Sequence, residues 1–299
     1  MTEQPRLDPE HFGQHYPSKL VDRLIRFSQN SSPRGISSHT ASLIRSLTTR
    51  FAEKPLDLEA QGIRLRCFLD DNYSEKKFIF TPWRFDAGER QYIETYLPSD
   101  GVFVDIGANI GIYSLTALKA LGKTGQLVAI EPNPNVYERL RFNIDANLSQ
   151  DDVSPTICTL QCGVSDRNET LELYINQSNL GESSVRRSGR RLPGNDNDTQ
   201  RPIQTIQCRP LLDILKELQL SRVDGIKIDI EGAEDKALVP YLEHAPTSLL
   251  ARFILMENSE TAWELPLSER LKERGYQRVK DYGMNSLYKL DPLESNTDS

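Results

Sequence analysis

Val102-Phe103-Val104-Asp105-Ile106-Gly107-Ala108-Asn109-Ile110-Gly111-Ile112-Tyr113-Ser114 is the stretch on which the reading of this chain turns. Val102, Phe103, Val104 and Ile106 form a nearly continuous apolar run, the pattern of a strand buried on both faces. Ile112, Leu115 and Leu118 then recur at helical spacing, and Gly122 is placed to stop the helix. Between strand and helix, Gly107 and Gly111 are expected to leave the backbone uncovered, while Asn109 accepts a left-handed conformation at little cost. Such a turn lets a ligand approach bare amide groups at the positive end of a helix. A purely structural strand, turn and helix would carry the same local pattern, so the turn alone does not decide.

A second stretch narrows the ligand. Gln126-Leu127-Val128-Ala129-Ile130-Glu131 reads as another strand with an acid at its tip. An acid at the end of the second strand, about 20 residues past the glycine turn, is placed to accept hydrogen bonds from ribose hydroxyls. The glycines follow D-x-G-x-x-x-G rather than the G-x-G-x-x-G of dinucleotide sites. That order fits a nucleoside whose polar end is an amino acid, which points to S-adenosylmethionine. With Glu131 added, the purely structural reading is the weaker one.

Composition is compatible with a soluble enzyme. Of 299 residues, 37% are hydrophobic and 26% charged, enough apolar material for a substantial core. The net charge of −7 argues against broad, non-specific binding to nucleic acid or anionic membrane. No apolar run approaches the roughly 20 residues that span a bilayer. The polar segment from Met1 to Glu10 does not read as a secretory signal, so the cytoplasm is the default location. Cys67, Cys158, Cys162 and Cys208 form no C-x-x-C pair and have no nearby histidine. Free thiols are therefore expected rather than a zinc site. His11, His15, His39 and His244 fall in no motif.

Residues 1–55 read as a helical N-terminal extension, with amphipathic helices around Leu20–Phe27 and Leu43–Phe51. It either caps the main domain or pairs with a second copy to form a homodimer. From Leu56 to Phe80 the pattern is that of strands, including Phe78-Ile79-Phe80. Trp83 and Arg84 precede a helix expected over Ala87–Tyr96. They either line the mouth of a substrate site, or Trp83 fills core and Arg84 pairs with Asp86 or Glu89. Pro132-Asn133-Pro134 opens a helix running to about Asn147, and a third strand follows at about Thr156–Cys162. The turn that begins Cys162-Gly163-Val164 lies at the level of the adenine of a nucleoside held by the first two strands. Asn176–Arg201, rich in Ser, Gly, Asn and Arg, reads as a mobile loop. It is either a plain solvated loop or a lid for an anionic substrate.

A further informative stretch is Asp224-Gly225-Ile226-Lys227-Ile228-Asp229-Ile230-Glu231-Gly232-Ala233-Glu234. A strand period of two sets Lys227, Asp229 and Glu231 on one face and the isoleucines on the other. Acids on a buried strand are costly unless they sit at its solvent end or have partners. In open α/β sheets that carboxyl edge is where ligands bind. Leu249–Glu257 reads as a fifth strand with Glu257 at its tip, and Tyr276–Tyr282 with Asn285–Leu290 reads as a closing antiparallel pair. Residues 291–299 read as a disordered tail.

Together, Val104–Gly111, Glu131–Pro134 and Ile226–Glu234 resemble the FkbM family of S-adenosylmethionine-dependent methyltransferases. The likeness covers residues 56–290. It implies a class I methyltransferase (Rossmann-like) α/β fold, with a seven-stranded, mostly parallel sheet and helices on both faces. It also implies methyl transfer to a hydroxyl of a small molecule or saccharide. By position, Asp105, Gly107, Ala108, Asn109 and Gly111 would hold the methionine part of the cofactor, and Glu131, Pro132 and Asn133 the ribose. Gly163 and Val164 would border the adenine, and Asp229 would sit beside the sulfonium. The long arginine-rich insertion after Ser184 departs from the family, so the acceptor is not carried over with the fold.

An alcohol acceptor must lose a proton, and a carboxylate within reach is the simplest base. Asp229 is the first choice, with Glu231 and Glu257 the others. The acids could instead be structural, with Glu231 pairing with Lys227. A divalent cation on Asp229, Glu231 and Glu257 is a third reading, though no ligand spacing demands it. Methylation of an RNA 2′-hydroxyl and a non-catalytic cofactor-binding module are the competing functions.

Overall fold

The computed structural model describes residues 11–30, 38–148, 154–176, 179–180, 184–186 and 202–291. Helices α1 (Lys19–Asn30) and α2 (Ser38–Phe51) lie against each other, with Ile25 and Ile44 turned into the core. They precede a hairpin of β1 (Leu56–Ala60) and β2 (Ile63–Cys67). Asp57 ties the N-terminal segment to this hairpin. Its buried carboxylate takes the amides of Gly13 and His15 at 2.7 and 3.2 Å and both arms of the Arg66 guanidinium at 2.7 and 2.9 Å.

The strand expected at Phe78-Ile79-Phe80 is instead the end of helix α3 (Tyr73–Phe80). Asn72 caps the helix, its side chain accepting from the Glu75 amide at 3.2 Å, an interaction worth about 1 kcal/mol. All three apolar residues are buried, and a run buried all round carries no periodicity to separate helix from strand. Helix α4 (Ala87–Tyr96) has the expected limits.

The remaining chain builds a three-layer sandwich. In order come β3 (Val102–Ile106), α5 (Ile112–Ala120), β4 (Gln126–Ile130), α6 (Pro134–Asn147), β5 (Thr156–Leu160), β6 (Gly163–Val164), β7 (Glu169–Tyr174), β8 (Ser184–Arg186) and β9 (Ile203–Arg209). Then follow α7 (Leu211–Glu217), β10 (Gly225–Ile228), α8 (Glu234–His244), β11 (Phe253–Glu257), α9 (Leu267–Glu273), β12 (Tyr276–Tyr282) and β13 (Asn285–Leu290). The main sheet has seven strands in the order β12-β13-β11-β10-β3-β4-β5. Strands β11, β10, β3, β4 and β5 run parallel, and β13 returns antiparallel against β11. Alternate strand residues feed two cores. Phe103, Leu127, Ala129 and Leu255 pack with Ile93, Leu115 and Leu140 on one face. Val104, Val128, Ile226 and Ile254 pack with Leu215, Leu238 and Leu271 on the other. This is the α/β architecture expected from the sequence.

Two boundaries differ. The third strand stops at Leu160, and the chain resumes as β6 in a separate four-stranded sheet ordered β6-β9-β7-β8. Within the expected loop Asn176–Arg201, Ser184–Arg186 is a strand that pairs antiparallel with β7. Its edge position is set by a partner at Glu172–Tyr174 that local composition does not reveal. Arg187, Arg190, Arg191 and Arg201, like the tail from 292, lie outside the described residues.

Candidate active site

Strand β3 sits between β4 and β10, the point where successive crossovers leave the sheet in opposite directions. The carboxyl edge at such a switch point is open to a ligand. The glycine turn occupies that edge, with Gly107, Asn109 and Gly111 at φ 74°, 51° and 97°.

Its amides are not bare, which corrects the sequence expectation. Gly107 and Ala108 both donate to the Ile130 carbonyl, at 2.9 and 3.0 Å. The Asn109 amide donates to Glu131 Oε2 at 2.9 Å, Ile110 to Asn109 Oδ1 at 2.8 Å, and Gly111 to the Ala108 carbonyl at 2.9 Å. A turn wedged between strand ends cannot leave its amides unpaired. The glycines supply clearance instead. A Cβ on Gly107 would stand 2.0 Å from the Asp229 carbonyl oxygen, and one on Gly111 would stand 2.8 Å from Leu140 Cδ1.

Glu131 is buried at the tip of β4, where its other oxygen takes the Asn133 amide at 2.9 Å. Burial outweighs these bonds and pushes its carboxyl up to about 7. Pro132 is half-buried beside it. Asn133 caps α6 by accepting from the Asn135 amide, while its buried Nδ2 has no hydrogen-bond partner among the described residues. An acceptor carboxylate beside an orphaned amide donor fits the hydroxyls and ring atoms of a nucleoside. Asp105 is buried within β3, with Ser114 Oγ donating to it at 2.6 Å, and burial pushes its carboxyl up to about 6. Gly163 and Val164 are buried in β6, and a Cβ on Gly163 would meet Cys208 Sγ at 2.5 Å.

The acids expected across the turn part company. Strand β10 ends at Ile228, and Glu231 lies beyond it, exposed and at φ 57°, so the period of two does not extend to it. Lys227 faces Asp229 rather than Glu231. Its buried ammonium stands 3.4 Å from Asp229 Oδ2 and 3.3 Å from the Ile228 carbonyl, over the Tyr113 ring. Asp229 is half-exposed and holds the sheet edge by donating its amide to Ile106. Glu257 at the tip of β11 is pushed up by burial and by the charges of Asp229 and Glu234. The acid that ties this turn is Glu234, which takes the amides of Ile230 and Gly232 and the Trp263 indole.

Asp86, Glu89 and Asn285 belong to the same edge and carry no sequence motif. Tyr113 donates its hydroxyl to Asp86, the charges of both Lys227 and Asp229 act on Asp86, and buried Glu89 accepts from Asn285. Asp86 and Glu89 thus take neutral donors, which corrects the alternative in which Arg84 paired with them. Arg84 is exposed, and Trp83 is half-buried with its indole nitrogen unpartnered among the described residues. Among the described residues no group of three or more His, Cys, Asp or Glu side chains could hold a metal ion. No helix there is long and apolar enough to cross a membrane, and all four cysteines are free.

The chain is 29% identical over 227 residues to methyltransferase sdnD of Sordaria araneosa, covering 69% of this chain and 82% of that protein. It is also 29% identical over 213 residues to the AMB antimetabolite synthetase AmbE of Pseudomonas aeruginosa, covering 60% of this chain but 10% of that much longer protein. Among solved structures, M. jannaschii TYW2 in complex with AdoMet superposes with a TM-score of 0.38 at 12% identity, over 80% of this chain and 89% of that one. Residues 105–277 match the family described as the methyltransferase FkbM domain. That match spans more than half of the sequence, and the chain belongs to the FkbM methyltransferase family, whose methyl donor is S-adenosylmethionine.

Proposed function

We propose that the protein transfers the methyl group to a hydroxyl of a small molecule or saccharide, with Asp229 as the base. The observation that carries this reading is the position of Asp229. Its carbonyl oxygen lies against the bare face of Gly107, and its half-exposed carboxylate stands at the open sheet edge beside Lys227 and Glu257. The bound donor supplies an electrophilic methyl group on a sulfonium. Glu131 and Asn133 hold the ribose, with Pro132 against it, and Gly163 and Val164 border the adenine. Asp105, Gly107, Ala108, Asn109 and Gly111 shape the pocket for the methionine end. Asp229 Oδ2 accepts the proton that the acceptor hydroxyl loses, and the Lys227 ammonium, 3.4 Å away, holds that carboxylate at the sheet edge. Trp83 and Arg84 flank the approach of the acceptor.

The carboxylates of Asp86, Asp229 and Glu257 favour an uncharged or cationic acceptor over the phosphate backbone of RNA. A biosynthetic role in small-molecule chemistry also accords with the antimetabolite synthetase among the relatives. The test is methyl-labelled donor incubated with metabolite extract and with structured RNA, for wild type, Asp229→Asn and Glu257→Gln. Label in a small product, lost in Asp229→Asn while S-adenosylhomocysteine still binds, is the expected result. Label in RNA, or full turnover by Asp229→Asn, overturns it.

A further inference from the structure

Asn72 lies outside the segment matched to the family, yet its side chain reaches the glycine turn. It is wholly buried, and the Glu75 amide donates to its Oδ1. That bond fixes the orientation of the side-chain amide, so Nδ2 faces Asn109 and donates to its Oδ1 at 2.7 Å. Asn109 Oδ1 takes a second proton from the Ile110 amide at 2.8 Å. With two donors converging on Oδ1, the Asn109 amide cannot rotate, and its Nδ2 is turned away from both. Asn109 is half-buried, and this Nδ2 has no hydrogen-bond partner among the described residues.

The support behind Asn72 is rigid. The Asp71 carboxylate is gripped by both arms of Arg139 on α6, at 2.8 and 2.6 Å. The Asp71 carbonyl accepts from the Leu180 amide, and the Tyr73 amide donates to Asn179. Asn72 is therefore held from three directions.

We propose that Asn72 is a positioning residue of the donor site: by holding Asn109 Oδ1 it presents Asn109 Nδ2 as a fixed donor to the carboxylate of the donor's methionine end. This rests on the assignment of the glycine turn to that end of S-adenosylmethionine. It makes residues 71–73, ahead of the matched domain, part of the binding site.

The experiment compares binding of S-adenosylhomocysteine and of methylthioadenosine, which lacks the amino-acid portion, by calorimetry. Asn72→Ser keeps a cap for α3 but is too short to reach Asn109. Asn72→Asp keeps size and cap but presents an acceptor to Asn109 Oδ1. Loss of one charge-assisted hydrogen bond predicts about tenfold weaker S-adenosylhomocysteine binding in both, with methylthioadenosine unchanged. Thermal melting checks that each variant is folded. Unchanged S-adenosylhomocysteine binding in a folded variant, or equal weakening of both ligands, overturns the proposal. Failure of the wild type to bind either ligand overturns the assignment of the turn itself.

Discussion

Tyr113 Oη donates to Asp86 Oδ2 at 3.0 Å, joining the first turn of α5 to the residue that precedes α4. Asp86 holds a left-handed backbone at φ 44°, and burial pushes its carboxyl upward against the pull of Tyr113 and Lys227. Removing the hydroxyl leaves a mostly buried acid short of a donor. Tyr113→Phe is therefore expected to cost about 1–3 kcal/mol in urea denaturation. Asp86→Asn, neutral and tolerant of that backbone, is expected to cost less than Tyr113→Phe, and to remove most of the Tyr113→Phe penalty when the two are combined. Additive losses in the double variant would show that the bond carries no coupling.

If Glu131 holds the ribose as proposed, the donor site has a pH dependence. The Glu131 carboxyl is pushed up to about 7 by burial, opposed by the amides of Asn133 and Asn109. Ribose hydroxyls donate best to the ionised form, so binding must expel the proton that the free site holds below that value. S-adenosylhomocysteine affinity is expected to fall as pH drops from 8 to 6, by up to about tenfold per unit below the free-site value. Glu131→Gln should bind more weakly at pH 8 and lose the slope. Stability runs the other way, because a raised carboxyl contributes stability that is present below about 4.5 and lost as pH rises through about 7. Glu131→Gln should accordingly gain melting temperature relative to wild type at pH 8 and not at pH 4.

Gly107 and Gly62 form an internal control. Both are left-handed, at φ 74° and 75°, but a Cβ on Gly107 meets the Asp229 carbonyl at 2.0 Å whereas one on Gly62 meets nothing within 4 Å. Gly62→Ala is expected to cost about 1 kcal/mol for the backbone alone. Gly107→Ala adds a clash with backbone that has no room to yield, for about 3 kcal/mol or more, and displaces Asp229. Equal losses in chemical denaturation would mean that the turn and β10 are not packed as described.

The reach of the sequence follows the range of the interactions. Val102–Ile106 and Gln126–Ile130 declare themselves because each strand is apolar in its own right, and the Tyr276–Leu290 hairpin has its turn at Gly283. The apolar run from Leu249 to Glu257 overreaches: Thr247–Leu249 is a 3-10 turn and the strand begins at Phe253. Helix α3 does not, because Phe78, Ile79 and Phe80 are buried all round and the deciding cap is a single Asn72. The satisfied amides of the glycine turn depend on the Ile130 carbonyl, on another strand. The partnerships of Tyr113 with Asp86 and of Asn72 with Asn109 span 27 and 37 residues, and Asp86 and Asn72, the far ends, fall in no motif. Glu231 is an acid of the quoted motif whose strand ends too early to bring it alongside Lys227, and Lys227 faces Asp229 instead.

The Asp57 carboxylate is one of several links between the N-terminal segment and the hairpin, beside the Arg66–His11 and Gln29–Glu59 hydrogen bonds. Burial favours its neutral form, but the Arg66 guanidinium and the amides of Gly13 and His15 outweigh that and hold its carboxyl below the ordinary 3.8. A depressed carboxyl contributes stability that is present above the unfolded value and lost as pH falls through the folded one, so this contact persists to below about pH 4. Asp57→Ala takes a carboxylate partner from a buried guanidinium and the acceptor from two amides, and is expected to cost about 3–5 kcal/mol. Asp57→Ala with Arg66→Met removes the uncompensated charge and is expected to recover part of the loss. Because the same carboxylate takes the Gly13 and His15 amides, Asp57→Ala should also make residues 11–30 cleave faster in limited proteolysis, and the double variant should not reverse that. Cleavage at the wild-type rate would mean that α1 is held by its contacts at Ser28 and Ile25, and that Asp57 serves the hairpin alone.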